Sequence, residues 1–248
     1  MTVLYTLGSV VLVSALSLLG IIFFLFEEKS IHKVLLYFVS LSTGALLGDV
    51  FIHIIPEMMN DPTTIKRNLI ILLGGILFSF ILEKLIHWRH CHVLPSVHHH
   101  HPMGLVNVVA ESIHNFIDGL AIAAAFLASI PVGISTSLAI VFHEIPHEVG
   151  NVAILLHSGF PKKKALLFNM LSAAAAIVGA VVVLLFAAAS DVLSSAMLPF
   201  AAGNLLYIAG SDLIPELHKE SRLPQSLLQL LCIVAGMFIM YGVKVFEG

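Results

Sequence analysis

The stretch HEIPHEVGN, residues 143–151, holds the residues best equipped to do chemistry. His143 and His147 are four apart, so they share one side of a helix. Glu144 stands beside the first histidine and Glu148 beside the second. The preceding apolar stretch, ESIHNFIDGLAIAAAF, has a similar layout: His114 and Asp118 are four apart, and Asn115 follows the histidine. Imidazoles and carboxylates at this spacing form a nitrogen and oxygen ligand set suited to Zn2+ and its neighbours. Interhelical hydrogen bonding would account for one buried Asn or His. It does not account for His114, Asn115, Asp118, His143, Glu144 and His147 together on two successive helices, because ionisable groups deep in a membrane are expensive and mark ion sites. A divalent cation would offset the repulsion and desolvation of the carboxylates.

HEIPH also matches the H-E-x-x-H pattern of zinc hydrolases, with Glu144 as general base between two zinc-bound histidines. An intramembrane zinc protease is therefore the alternative reading, and a metal sensor without transport a third. Pro146 weighs against the protease, because it disturbs the helix that must present both histidines in register. Proline has no N–H, and its ring clashes one turn back, kinking the helix near Phe142 and His143. The carbonyl it frees could serve as a metal ligand or bind water. Glu148 and the matching HNFID cluster also supply more ligands than a catalytic zinc with an open position needs.

The elements that position these residues must lie in a bilayer. Of 248 residues, 58% are hydrophobic and 11% charged, with a mean hydropathy of +1.01, far from the usual soluble composition. A net charge of −3 and the lack of a long basic run give nucleic acid no footprint. Cys91 and Cys232 form no disulfide framework. Segments of about 20 apolar residues span a bilayer, and eight are expected: roughly 3–26, 34–56, 68–87, 104–128, 132–157, 165–189, 193–215 and 224–246. The first lacks a basic leader and reads as a retained helix. The predicted fold class is an all-α membrane protein, one domain over 1–248, since backbone groups in lipid must be satisfied within each helix. Lys29, Lys33, Lys84, Arg89, Lys162, Lys163, Lys164, Lys219 and Arg222 fall on one side, and Lys66, Arg67 and Lys244 on the other. This places both termini outside and the His-rich loop 88–103 in the cytosol, where it could catch or sense metal.

TGALLGDVFIHIIPE (43–57) and AGNLLYIAGSDLIPE (202–216) align at an offset of 159, sharing Gly44/Gly203, Leu46/Leu205, Leu47/Leu206, Ile55/Ile214, Pro56/Pro215 and Glu57/Glu216. Their opposite orientation suggests an inverted repeat of helices 1–3 and 6–8 around central helices 4 and 5, a recurring transporter architecture. Asp49 and His53 on helix 2 and Asp212 on helix 7 are candidate transport-path residues. Glu57 and Glu216 sit at helix ends, where a solvated carboxylate needs no special role.

GDVFIHIIPE, HNFIDG, HEIPHEVGN, NMLSA and AGNLLYIAGSDLIPE together resemble the ZIP (Zrt/Irt-like) divalent-metal transporters. They are most similar to the branch with H-E-x-P-H-E-x-G-D on its fifth helix. The resemblance implies a transporter rather than an enzyme, in the plasma (inner) membrane, with both termini extracytoplasmic. It implies uptake of a divalent metal toward the cytosol; the histidine-rich donor set favours Zn2+ and leaves Cd2+, Fe2+, Mn2+ and Co2+ open. It also implies an elevator in which helices 1, 4, 5 and 6 slide against 2, 3, 7 and 8, often in a homodimer. Carried over by position, His114, Asp118, His143 and His147 would form the main site, and Asn115 and Glu144 with shared Asp118 a neighbouring one. Asn151 replaces the branch's closing Asp. Helix 6 offers only Asn169 and Ser172 where some relatives supply a carboxylate, so the neighbouring site is expected to be weak or empty.

Overall fold

The computed structural model describes residues 1–19, 28–88, 103–189 and 191–247. Most of the His-rich tract, residues 89–102, lies outside that range. The described chain is helical and contains no strand. We number the helices α1 (Thr2–Ala15), α2 (Glu28–Gly48), α3 (Ile65–Trp88), α4 (Met103–Ala128), α5 (Ile130–His157), α6a (Lys162–Ala173), α6b (Ala175–Ala189), α7 (Asp191–Tyr207) and α8 (Leu223–Glu247). Seven spans are long and apolar enough to cross a membrane. The exception is α5, which is long enough at 28 residues but carries the histidines and glutamates of the HEIPHE stretch.

Two spans continue past a widened turn. After α2 the backbone forms a π-helix over Asp49–Ile54, then the short helix Ile55–Met58. After α7 it does the same over Ile208–Leu213 and Ile214–Leu217. The N–H of Ile55 reaches Val50 O, and that of Ile214 reaches Ala209 O, five residues back. Each π-helix ends just before a proline, Pro56 or Pro215. A proline ring clashes with the carbonyl four residues back, and the extra residue in a π-turn relieves that crowding. The sixth span is broken at Ala174, where the hydroxyl of Ser14 on α1 donates to Ala173 O at 2.9 Å.

Glycine contacts set the closest helix pairs. A Cβ on Gly44 of α2 would lie 1.9 Å from Ile233 O of α8, and one on Gly203 of α7 would lie 2.0 Å from Leu72 O of α3. Gly119 of α4 and Gly179 of α6b approach each other's helices as closely, meeting Ala176 O at 1.9 Å and Phe116 O at 2.0 Å. Without a strong hydrophobic drive between helices in lipid, such approaches and the dispersion they permit supply association. Hence α2 pairs with α8, α3 with α7, and α4 with α6b and α5, while α1 lies against α5 and α6b. The apolar core runs through Leu46, Ile54, Ile122, Phe126, Ile140 and Leu205. At the aqueous ends, local pairs close the turns: Arg222 hydrogen-bonds Glu220 and holds its carboxyl down to about 2.

Gly44→Ala and Gly203→Ala should each lower stability by about 1–3 kcal/mol through overpacking, read as a fall in thermal midpoint in detergent. Gly74→Ala and Gly242→Ala, with nothing within 4 Å of the added carbon, should leave the midpoint unchanged or raise it. Equal effects at all four positions would contradict this packing.

Candidate metal centre

Helices α4 and α5 are joined by the single residue Ser129. Its backbone is extended, and its hydroxyl caps α5 by accepting the Val132 N–H at 3.3 Å. So short a turn forces the two helices antiparallel and holds their polar clusters at matching depth. On α4, Glu111, His114, Asn115 and Asp118 share one face at i, i+3, i+4 and i+7. On α5, His143, Glu144, His147 and Glu148 follow the same helical logic across about 140° of arc.

Four atoms converge: His114 Nε2, His143 Nε2, Asp118 Oδ2 and Glu144 Oε1. His143 lies 3.2 Å from Asp118, 3.3 Å from Glu144 and 3.4 Å from His114. His114 lies 3.4 Å from Glu144 and 3.6 Å from Asp118. A tetrahedral zinc shell with bonds of about 2.0–2.2 Å has edges of about 3.3–3.6 Å. The five separations fit that figure, and the donor set is the borderline-soft mixture zinc takes. Both oxygens of Asp118 and of Glu144 are buried, and none of the four accepts a hydrogen bond from a described residue. With the imidazoles of His114 and His143 3.2–3.6 Å away, these carboxylates are balanced by imidazole protons or by a cation at the centre of the four donors.

The structure places the other expected residues differently. His147 does not point at the four-donor set. Its Nδ1 lies 3.1 Å from Glu111 Oε1, its ring stacks on that of His114 at 4.5 Å, and its side chain is 39% exposed. Asn115 donates to Glu111 through both the backbone carbonyl and Oε1. Glu111, absent from the sequence-based ligand set, thus faces His147 and Asn115. The signal was present, because Glu111 precedes His114 by three residues and Asp118 by seven. Glu111, Glu144 and Glu148 offer oxygens within 4.8 Å of one another, so Glu144 belongs to two donor groups. Glu148 in turn accepts from Asn169 of α6a at 2.5 Å, and Asn169 accepts from Asn151 at 2.6 Å. Asn107 donates to Asn151 at the far end. Asn151 is therefore a link in an amide chain from α4 through α5 to α6a, a role its uncharged amide suits.

The carbonyl freed by Pro146 is that of Phe142. It accepts from the hydroxyl of Ser42 on α2 at 2.6 Å, so a protein donor reaches it.

A cavity of about 500 Å³ adjoins the centre, bounded by Glu111, His114 and His147 on one wall and by Glu83, Tyr207 and Asp212 on the other. It extends toward Asn107 and Ile154, the end of the bundle that leads into residues 89–102. In the opposite direction, Ile122 and Ile140 are fully buried one turn from the cluster. Asp212 thus borders the cavity. Asp49 and His53 do not line it; they are buried in the π-turn of the second span with Nδ1 and Oδ1 3.6 Å apart.

An all-helical bundle with a nitrogen and oxygen donor set in its interior defines a membrane protein with a candidate metal centre. Residues 89–244 match the family model for the ZIP zinc transporters, and the chain belongs to that family. Among curated relatives it is 34% identical to the zinc transporter ZIP13 of Pongo abelii, over 81% of this chain and 64% of that protein. It is 30% identical to the zinc transporter YKE4 of Saccharomyces cerevisiae, over 82% and 68% of the respective chains. The match to the zinc transporter zipt-7.2 of Caenorhabditis elegans, at 38%, covers 57% of this chain but 32% of the relative. The chain therefore spans from 32% to 68% of these relatives' lengths. Membership of a transporter family disfavours the protease reading, and the geometry agrees. Of the two histidines that such an enzyme needs on one zinc, His143 belongs to the four-donor set and His147 pairs with Glu111, and the would-be base, Glu144, sits inside the donor set.

If a cation occupies the four-donor set, His143→Ala or Asp118→Ala should weaken Zn2+ affinity by about 100-fold, and His147→Ala by about tenfold or less. Titration calorimetry on detergent-purified protein would measure this. Equal losses at His143 and His147 would show that the four-donor set is not the site.

Proposed function

We propose that this protein carries a divalent metal ion, zinc first, across a membrane toward the cytosol. The reading rests chiefly on one observation: four donor atoms from α4 and α5, on side chains that are buried except for the 18% exposed His114, stand at tetrahedral-edge separations inside the bundle. His114, Asp118, His143 and Glu144 would hold the ion. Glu111, Glu144 and Glu148 would form an adjoining oxygen-rich group that shares Glu144, with His147 and Asn115 beside it. Imidazole-rich shells favour Zn2+, and the carboxylates leave Cd2+, Fe2+, Mn2+ and Co2+ as weaker substrates.

Alternating access follows from how the centre is enclosed. On one side lie the fully buried Ile122 and Ile140, and the other side meets the cavity. By the distribution of Lys and Arg, that cavity faces the cytosol, with both termini outside. The ion would leave past His147 and Glu111 toward Asp212 and the His-rich loop. An elevator with α1, α4, α5 and α6 as the moving group is supported by their mutual packing and by the pairing of α2 with α8 and α3 with α7, with α2 against α5 and α4 against α7 as the surfaces that would slide. The inverted repeat draws support from local detail. The two π-helices keep the 159-residue offset of the sequence match. The Gly44 contact with Ile233 has its counterpart in Gly203 with Leu72, and the Gly236 contact with Leu41 O in Gly75 with Phe200 O.

In sealed liposomes, the protein should take up Zn2+, and His143→Ala with Asp118→Ala should abolish uptake while leaving the protein inserted. A protonated imidazole has no lone pair for a metal, so protons compete with zinc for the site histidines. Uptake at sub-saturating zinc should therefore fall as the pH is lowered from 7.5 to 5.5 under a clamped gradient. Zinc uptake that is absent, or indifferent to both variants, would overturn the proposal.

A further inference from the structure

We infer that Ser42 is a positioning residue for the metal centre: its hydroxyl, donated from α2, holds the Pro146-freed carbonyl of Phe142 and thereby sets the direction of His143. The inference rests on the metal-transport reading above. Pro146 has no N–H, so Phe142 O lacks the partner an α-helix would give it. Inside a membrane bundle, a buried carbonyl left without a donor is strongly unfavourable. Ser42 is fully buried, and its Oγ lies 2.6 Å from Phe142 O and 2.6 Å from Phe38 O of its own helix. One hydroxyl proton thus stands between two acceptors, one on each helix.

The Phe142 carbonyl and the His143 N–H belong to one planar peptide unit. Tilting that carbonyl swings the Cα of His143 and the imidazole it bears. His143 Nε2 makes three of the five measured edges of the donor tetrahedron, and ligand geometry tolerates errors of only about 0.5 Å. A helix kinked by proline has a soft bend, and a donor from a neighbouring helix fixes it. Among the described residues the Ser42 hydroxyl bonds Phe38 O and Phe142 O, so it acts on the centre through the Phe142 carbonyl.

The test is a double-mutant cycle on the full chain in nanodiscs. Zn2+ affinity is measured by calorimetry, and Co2+ absorption reports the geometry of the bound shell. Ser42→Ala should weaken Zn2+ binding about tenfold and change the shape of the Co2+ band. Pro146→Ala restores an N–H that can bond Phe142 O within α5, so the carbonyl no longer needs Ser42. In that background Ser42→Ala should change affinity less than about twofold and leave the Co2+ band as it is in Pro146→Ala alone. An equal loss in both backgrounds, or none in either, overturns the inference. If Ser42→Ala fails to fold, recovery of folded protein in the double variant supports it and continued failure overturns it. Absence of zinc binding by the unaltered protein would sink the transport reading itself.

Discussion

The interior of this bundle holds more acid than an apolar medium tolerates unless something compensates it. Asp118, Glu144 and Glu148 are buried with Glu111 close by, and their charges interact strongly where water is excluded. Their partners are the imidazoles of His114, His143 and His147 and the amides of Asn115 and Asn169. Taking one such group out of water is tolerable only when its neighbours or a cation balance it. Much of the structure serves that balance. The one-residue turn at Ser129 matches the depths of α4 and α5. The Gly119 and Gly179 contacts draw α6b against α4, and the asparagine chain ties α6a to α5.

Breaks in the helices form the second theme. Pro56, Pro146 and Pro215 and the interruption at Ala174 each disturb a backbone ladder inside an apolar environment. The chain meets this in two ways. At Pro56 and Pro215 the helix widens into a π-turn that accommodates the ring. At Pro146 and Ala174 a serine hydroxyl from another helix takes a carbonyl: Ser42 for Phe142 and Ser14 for Ala173. Irregular backbone also coincides with polar side chains, since Asp49 and His53 lie in one π-turn and Asp212 in the other. Such turns commonly mark function in membrane helices.

The helical spans were legible because the apolar runs are long and their breaks carry proline or charge. The chemistry was legible because i, i+4 pairs of His with Asp or His are rare in such runs. Glu111 escaped notice through its place ahead of the HNFID cluster, although its phase puts it on the same face. Asn169 read as a missing carboxylate, yet it donates to Glu148, which joins Glu111 and Glu144 in an acidic group. A donor to a carboxylate is as much a part of an anionic site as a ligand is, but no spacing rule announces it.

By itself the sequence determined that this is a polytopic helical protein with imidazoles and carboxylates gathered on its fourth and fifth spans. Apolar length and helical period suffice for that, because each helix in lipid satisfies its own backbone. Which of those groups meet was decided only by tertiary structure. His143, Glu144, His147 and Glu148 lie within one arc of α5, and the sequence ranks none of them above the others. The close pairing of α5 with α4 brings Glu144 into the four-donor set and leaves His147 facing Glu111. That arrangement is a property of helices packed against one another, and a single helix's periodicity carries no information about it.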